Sequence, residues 1–353
     1  DTNTAETGVP RYVMLETIQE YAQGKLEESG EAGALDEAHA TFFTQLAERA
    51  EPELQGPRQV EWLDLLESEQ NNLRAALDWA YRESIELGLR LVAALNVYWN
   101  RRGYSIEGRE WASRIISRAR ETGLEPPLEH LDVVPLRHEL SILPSLARAL
   151  NTLGFIAFRQ GNYHSAHELL EEGVQIYEKV KATGASVDAR AMVESLNVLG
   201  IVKSRLENMQ ARRALHEQAL DLARQAGDTW SIARSLYQLG HVARLTGDYA
   251  QGRSLFEESL VHFNDSGDKF NIGLALIGMG QMDERQGDFE SARRLFEESL
   301  GPRDGCEDTA ELAGHRPSHL DHALLVERDV PHVAKHRAQL VGELLRFVDR
   351  HRV

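Results

Sequence analysis

The sequence predicts an all-α protein built as a right-handed superhelical solenoid of helix hairpins, and three observations lead there. The short run "LFEESL" occurs at residues 255–260 and again at 295–300. Small-residue landmarks at Gly154, Gly200, Gly240 and Gly280 are spaced by 46, 40 and 40 residues, an internal period of the kind that stacked repeats produce. Apolar residues between the landmarks follow a 3.6-residue pattern, with no sustained alternation that would indicate strands.

Each period reads as two helices. The segments "LGFIAFRQGNYHSAHELLEEGV" and "LGHVARLTGDYAQGRSLFEESL" carry a Gly-Asn-Tyr or Gly-Asp-Tyr turn between an A helix and a B helix, and Gly287-Asp288-Phe289 repeats it. Glycine supplies a positive φ at the end of helix A, Asn or Asp caps helix B, and the aromatic packs under the turn. The landmark glycine lets helix B approach, with Leu170, Phe256 and Phe296 filling the space. Gly-Asp pairs at 227–228 and 267–268 end one hairpin and start the next. The second copy is degenerate, with Glu207, Met209 and Arg212 where Gly, Tyr and Ala would stand, so less regular packing is expected there. One hairpin cannot bury its apolar face alone, so neighbours must stack.

Together the landmark glycine, the Gly-Asp-Tyr turn and Ala166 or Ala292 early in helix B resemble the tetratricopeptide repeat in a lengthened form. The resemblance implies four such repeats over 144–300. Upstream, "LVAALNVYWNRRGYSIEGREWASRIISRA" (residues 91–119) has the layout of a divergent earlier repeat with Trp111 in its B helix, preceded by helices near 35–50 and 60–83. Pro126, Pro127 and Pro135 mark 121–143 as a loop or broken helix. These helices form an N-terminal subdomain over 35–143.

The beginning carries a second resemblance. "RYVMLETIQEYAQGKLEESGEAGALDEAHATFFTQLAERAEPEL" followed by "WLDLLESEQNNLRAALDWA" is similar to the junction in bacterial signal-transduction ATPases of the STAND/NB-ARC type, including LuxR-type and antibiotic-regulatory transcription factors. There a winged-helix domain runs into the repeat domain. The resemblance implies that residues 1–34 hold the end of a winged-helix region, with a last strand near 11–15, and a linker helix at 16–28. It also implies that the chain is a C-terminal segment of a larger regulator. No G-x-x-x-x-G-K-[ST] phosphate loop occurs in the sequence.

From Gly301 the period stops. The stretch 301–353 holds 6 of the 14 histidines and the single cysteine, Cys306. Two readings stand for it: a cap for the solenoid, with Val333, Leu340, Val341, Leu344, Leu345 and Val348 on one helical stripe, or a C-terminus replaced through a change of reading frame. His315, His319, Asp321 and His322 have the residue types of a zinc site but lack its spacing and scaffold, so no metal is expected.

Composition narrows the function. A formal charge of −17 argues against broad nucleic-acid affinity, and one cysteine cannot build a disulfide framework. With no apolar run of membrane-spanning length, the expected location is cytoplasmic. No nucleophile elbow, dinucleotide fingerprint or H-E-x-x-H motif occurs, so neither catalysis nor a cofactor is expected. Paired glutamates at 171–172, 257–258 and 297–298 recur on helix B as a solvated face.

The candidate binding surface is the inner face of the A helices. Counting from the landmark glycines places Asn151, Phe155, Phe158 and Arg159; Asn197, Ser204 and Arg205; Tyr237, His241 and Arg244; and Gln281, Glu284 and Arg285 on that face. An Arg recurs in every repeat of an acidic protein. Asn can pair with main-chain amides and Arg with carboxylates, so these residues suit a protein or peptide partner, acidic ones included. The expected function is therefore a binding sensor or scaffold module of a bacterial transcriptional or signal-transduction regulator. The alternative is a free-standing scaffold that assembles protein complexes. Ordinary surface ion pairing of the same arginines with neighbouring glutamates also stays open.

Overall fold

The computed structural model describes residues 2–4, 10–12, 16–122, 137–185, 187–206 and 209–299. The expected cap stripe, the histidines of 315–322 and most of the expected 121–143 loop lie outside these residues.

The chain begins with a two-stranded antiparallel ladder, β1 (Thr2–Thr4) against β2 (Pro10–Tyr12), with Asn3 opposite Arg11. The strand at 2–4 carries no periodic signal that would reveal it in the sequence. Helix α1 (Glu16–Ser29) follows where the linker helix was expected. The N-terminal helices are α2 (Ala32–Glu53), α3 (Gln59–Ser68), α4 (Gln70–Glu83), α5 (Ile85–Ala94), α6 (Asn96–Arg102) and α7 (Ser105–Glu121). The segment expected as one helix over 60–83 is thus two, divided at Glu69. The divergent repeat departs from its expected layout in the same way: its A helix is broken at Leu95. Its large packing residue is Trp99 rather than Trp111, and the indole of Trp99 lies against Gly108 of α7 so tightly that a β-carbon there would overlap it. Trp111 stays half-buried beneath the Arg114 guanidinium, 4.5 Å from its ring centre.

Four hairpins then stack: α8 (Arg137–Arg159) with α9 (Tyr163–Ala182), α10 (Ala189–Leu206) with α11 (Met209–Ala226), α12 (Thr229–Thr246) with α13 (Tyr249–Ser266), and α14 (Lys269–Gln286) with α15 (Phe289–Ser299). Helix α8 starts at Arg137 and continues through Pro144, so the last seven residues of the expected loop are helical. Burial of Ile142, Leu143, Leu146 and Ala147 outweighs the one hydrogen bond that a proline removes.

The turns have the geometry their residues dictate. Gly161, Gly247 and Gly287 have φ of 80°, 83° and 82°, in the left-handed region. Asn162, Asp248 and Asp288 each accept a hydrogen bond from the backbone N–H three residues on, at 3.3, 3.1 and 3.0 Å. Within each hairpin the landmark glycine lies against the large residue of helix B: Leu170 on Gly154, His216 on Gly200, Phe256 on Gly240 and Phe296 on Gly280. All four large side chains are fully buried.

The degenerate second repeat keeps this packing. Helices α10 and α11 are each 18 residues long, as are α12, α13 and α14. In place of alanine and a large apolar side chain stand Arg212 and His216, hydrogen-bonded to each other at 3.2 Å.

The superhelix also closes on itself. The α2–α3 connection reaches the α13–α14 turn, where the Pro57 ring packs beside Gly267. Next to it the Arg101 guanidinium of α6 stacks on Phe270 of α14, 3.9 Å from the ring centre, and donates to Gln59 Oε1 at 2.9 Å. Burial lowers the pKa of Arg101 and the Asp268 carboxylate acts against that.

Candidate functional site: the inner face of the A helices

The A helices α8, α10, α12 and α14 touch in sequence along the inner side, and all eleven partner-binding candidates lie on them. The structure divides these residues by role. Phe155 and Arg159 of α8 are half-buried, and Arg205 of α10 and Arg285 of α14 are exposed. Asn151, Phe158, Asn197, Tyr237, His241, Arg244 and Gln281 are buried. Phe158 packs on Phe155 and on the turn residue Tyr163, with ring centres 6.4 and 6.0 Å apart. Tyr237 and His241 meet edge to face at 4.5 Å and both contact Phe256, so they cover the glycine slot of their own hairpin.

Asn197 belongs to a buried polar cluster that spacing alone did not reveal. Its Oδ1 lies 3.0 Å from His216 Nδ1, and its Nδ2 donates to Ser235 Oγ at 3.2 Å. The other imidazole nitrogen, Nε2, accepts from Arg212 Nε at 3.2 Å, while Arg212 Nη2 donates to Gln238 at 3.4 Å. These partners select the neutral Nδ1–H tautomer for His216. Burial, reinforced by the positive charges of Arg212 and Arg234, holds its pKa well below the usual histidine range. The same holds for His241, where burial acts first and Arg244 second.

Positive charge collects further along. Arg244 is 8% exposed, makes no ion pair among the described residues, and has His241 Nδ1 at 3.5 Å as its side-chain neighbour. Burial lowers its pKa, and the nearby Arg285 lowers it further. In a chain of net charge −17, this desolvated guanidinium stands beside a second one.

At the other end of the inner face, α2 closes over α8 and α10 and leaves a partly open cavity of about 200 Å³. Arg148 of α8 pairs with Glu51 of α2 across it. Glu194 of α10 accepts from Gln55 Nε2 at 3.3 Å, and burial together with the Glu51 carboxylate raises its pKa. Asn151 lines the same cavity, and its Oδ1 accepts no hydrogen bond. Glu51, Gln55 and Glu194 were not among the sequence candidates: Glu51 lies 97 residues from Arg148 and Gln55 139 from Glu194, and no spacing rule relates them.

Among the described residues no group of three or more His, Cys, Asp and Glu side chains is placed to hold a metal ion, and no helix is long and apolar enough to cross a membrane.

Family models for the tetratricopeptide repeat match residues 146–180 and 231–301. The fold is a solenoid of tetratricopeptide-like hairpins. Among curated proteins, provisionally named HTH-type transcriptional regulators of Mycobacterium bovis and Mycobacterium tuberculosis are 27% identical over 244 residues, which is 68% of this chain and 25% of theirs. The match thus spans a quarter of the length of those relatives. Among solved structures, a Rap protein complexed with competence and sporulation factor superposes with a TM-score of 0.51 at 11% identity, covering 76% of each chain. BtubC from P. vanneervenii gives 0.48 at 15% identity, covering 72% of this chain and 99% of its own.

Proposed function

We propose that this chain is the protein- or peptide-binding module of a bacterial transcriptional or signal-transduction regulator, and that its inner face takes an acidic segment of the partner. The observation that carries the reading is Arg244: a buried guanidinium paired with no carboxylate among the described residues, beside Arg285, on the A-helix side of the array. Arginine forks bind carboxylates in two parallel hydrogen bonds, and a partner's acidic side chains would supply the missing anion. Arg205, exposed on α10, extends the same charge toward the second repeat.

The regulatory context rests on the similarity to the mycobacterial regulators, which covers a quarter of their length. In this reading any ATPase or DNA-binding activity belongs to portions of such a protein other than the repeats, and the repeats report partner occupancy to them. The similarly folded Rap protein is complexed with competence and sporulation factor, which supports binding of a partner by a fold of this kind.

The test is titration of a fluorescent ten-residue peptide rich in glutamate against the wild type and the Arg205→Glu/Arg285→Glu variant. Both positions are exposed, so the fold should be untouched. The expected result is binding that weakens with added salt and drops at least tenfold in the variant at an unchanged melting temperature. Equal binding by both proteins would refute the acidic-partner reading.

A further inference from the structure

The cavity between α2, α8 and α10 is lined by three carboxylates and two guanidiniums, and their pairings leave one carboxylate over. Glu51 is taken by Arg148. Asp188 is spent at the start of α10, where it accepts the backbone N–H groups of Arg190 and Ala191 at 3.0 and 3.3 Å. Arg190 pairs with Asp228 at 3.2 Å and stacks over Trp230, 4.7 Å from its ring centre. That leaves Glu194, which makes no ion pair among the described residues and has one hydrogen bond, from the neutral amide of Gln55.

A second observation comes from the facing helix. Asn151 is 6% exposed, lines the cavity, and has an amide oxygen with no donor. A buried polar group without a partner costs free energy, and an unpaired carboxylate beside it costs more. The two groups ask for the same thing: a cation that carries N–H donors. An anion is excluded by Glu194 and Glu51. A divalent metal is disfavoured because the cavity's acidic side chains do not converge: among the described residues no three His, Cys, Asp or Glu side chains are placed to hold one. A primary ammonium is compact, carries three donors, and fits a space of about 200 Å³ together with the first few atoms of its chain.

We propose that this cavity is a binding site for a primary ammonium group, with Glu194 as its counter-ion and Asn151 Oδ1 as its second acceptor. The source of the ammonium is a peptide, through its amino terminus or a lysine side chain; this clause rests on the reading of the inner face as a peptide groove. The groups that bear on Glu194 are Glu51 on α2, Arg148 on α8, Arg190 on α10 and Arg234 on α12. Its carboxyl is held above the ordinary range, so a bound ammonium favours the ionised form and affinity falls as the pH is lowered.

The test uses the full chain and three probes followed by calorimetry: a trialanine amide with a free amino terminus, its N-acetylated form, and N-acetyl-lysine methylamide. Binding is expected for at least one ammonium-bearing probe, at least tenfold tighter than for the acetylated peptide. It should weaken at least tenfold in Glu194→Gln, which keeps the shape of the side chain. Asn151→Leu, which removes the amide at similar size, should weaken it too and carries the test if the first variant does not fold. Two results would overturn the proposal: ammonium probes that bind no better than the acetylated peptide, or binding indifferent to both substitutions. If the acidic peptide still binds through Arg205 and Arg285 in that case, the ammonium site fails alone and the peptide-groove reading stands.

Discussion

His216 lies against Gly200 in the slot where Phe256 lies against Gly240, its Cε1 2.9 Å from the place a β-carbon on Gly200 would occupy. A titratable ring therefore fills a space that two of the other three hairpins fill with phenylalanine and one with leucine, and two hydrogen-bonding neighbours, Asn197 and Arg212, flank it.

This substitution makes stability depend on pH. His216 and His241 are both held neutral by burial, with pKa values well below the unfolded value near 6.5. Above that value neither state binds the proton and the fold keeps its full stability. As the pH falls below 6.5 the unfolded chain takes up protons that the folded chain refuses, so stability declines by up to about 1.4 kcal/mol per pH unit for each histidine. Urea unfolding at pH 7.5 and 5.5 should show the loss. His216→Phe should show a smaller loss, although it is less stable than wild type at pH 7.5 because Asn197 and Arg212 lose a partner. Identical pH profiles would refute the assignment.

The hairpin slots are also close-packed. A β-carbon at Gly280 would overlap the Phe296 ring, and Phe296 is fully buried. Gly280→Ala should cost about 1–3 kcal/mol through overpacking, and Phe296→Ala about 3–5 kcal/mol through the cavity it leaves. Combining them should cost less than the sum, because the smaller side chain makes room for the added methyl. Additive losses in denaturant titrations would contradict direct contact.

The pair across the N-terminal junction gives a milder prediction. Arg148 and Glu51 are each about a quarter exposed, with side-chain values of 23% and 27%, so solvent screens their attraction. Arg148→Met should destabilise the fold by about 1–2 kcal/mol, chiefly because Glu51 then lacks its donor beside Glu194. A variant as stable as wild type would show the pair to be dispensable.

These cases show what the sequence made legible. Landmark glycines, capping Asp and Asn residues and the 40-residue period are local rules, and each hairpin obeys them within about 20 residues, so the solenoid and its turns could be read directly. The inner-face count placed the candidates on the A helices but could not tell exposed Arg205 and Arg285 from buried Arg244 and Asn197. That difference depends on which neighbours arrive: Ser235 and His216 around Asn197, and the Tyr237–His241–Phe256 rings beside Arg244. Arg212 looked like decay of the repeat pattern, whereas it is buried with His216 as a matched polar pair. The closure of the N-terminal subdomain onto α14 left no signal at all, because Pro57 meets Gly267 and Arg101 meets Phe270 at separations of 210 and 169 residues.

That closure can be tested. Arg101 stacks on Phe270, donates to Gln59 and stands near Asp268, which in turn accepts from Trp230 Nε1 at 3.0 Å. A desolvated cation–π contact contributes roughly 2 kcal/mol, and a hydrogen bond from a charged donor roughly 1.5–3 kcal/mol before the cost of burial is subtracted. The contact should therefore help to hold the α2–α3 connection on the α13–α14 turn. Repeat arrays otherwise bend easily, since each hairpin touches only its neighbours. Arg101→Ala should lower the melting temperature by a few degrees and, more tellingly, enlarge the radius of gyration in small-angle scattering, while helical content stays the same. Arg101→Lys should recover part of the compactness, because an ammonium still stacks on Phe270 but loses the planar fit. If Arg101→Ala scatters as wild type does, the two ends are held by the surrounding packing and the stacked arginine is incidental.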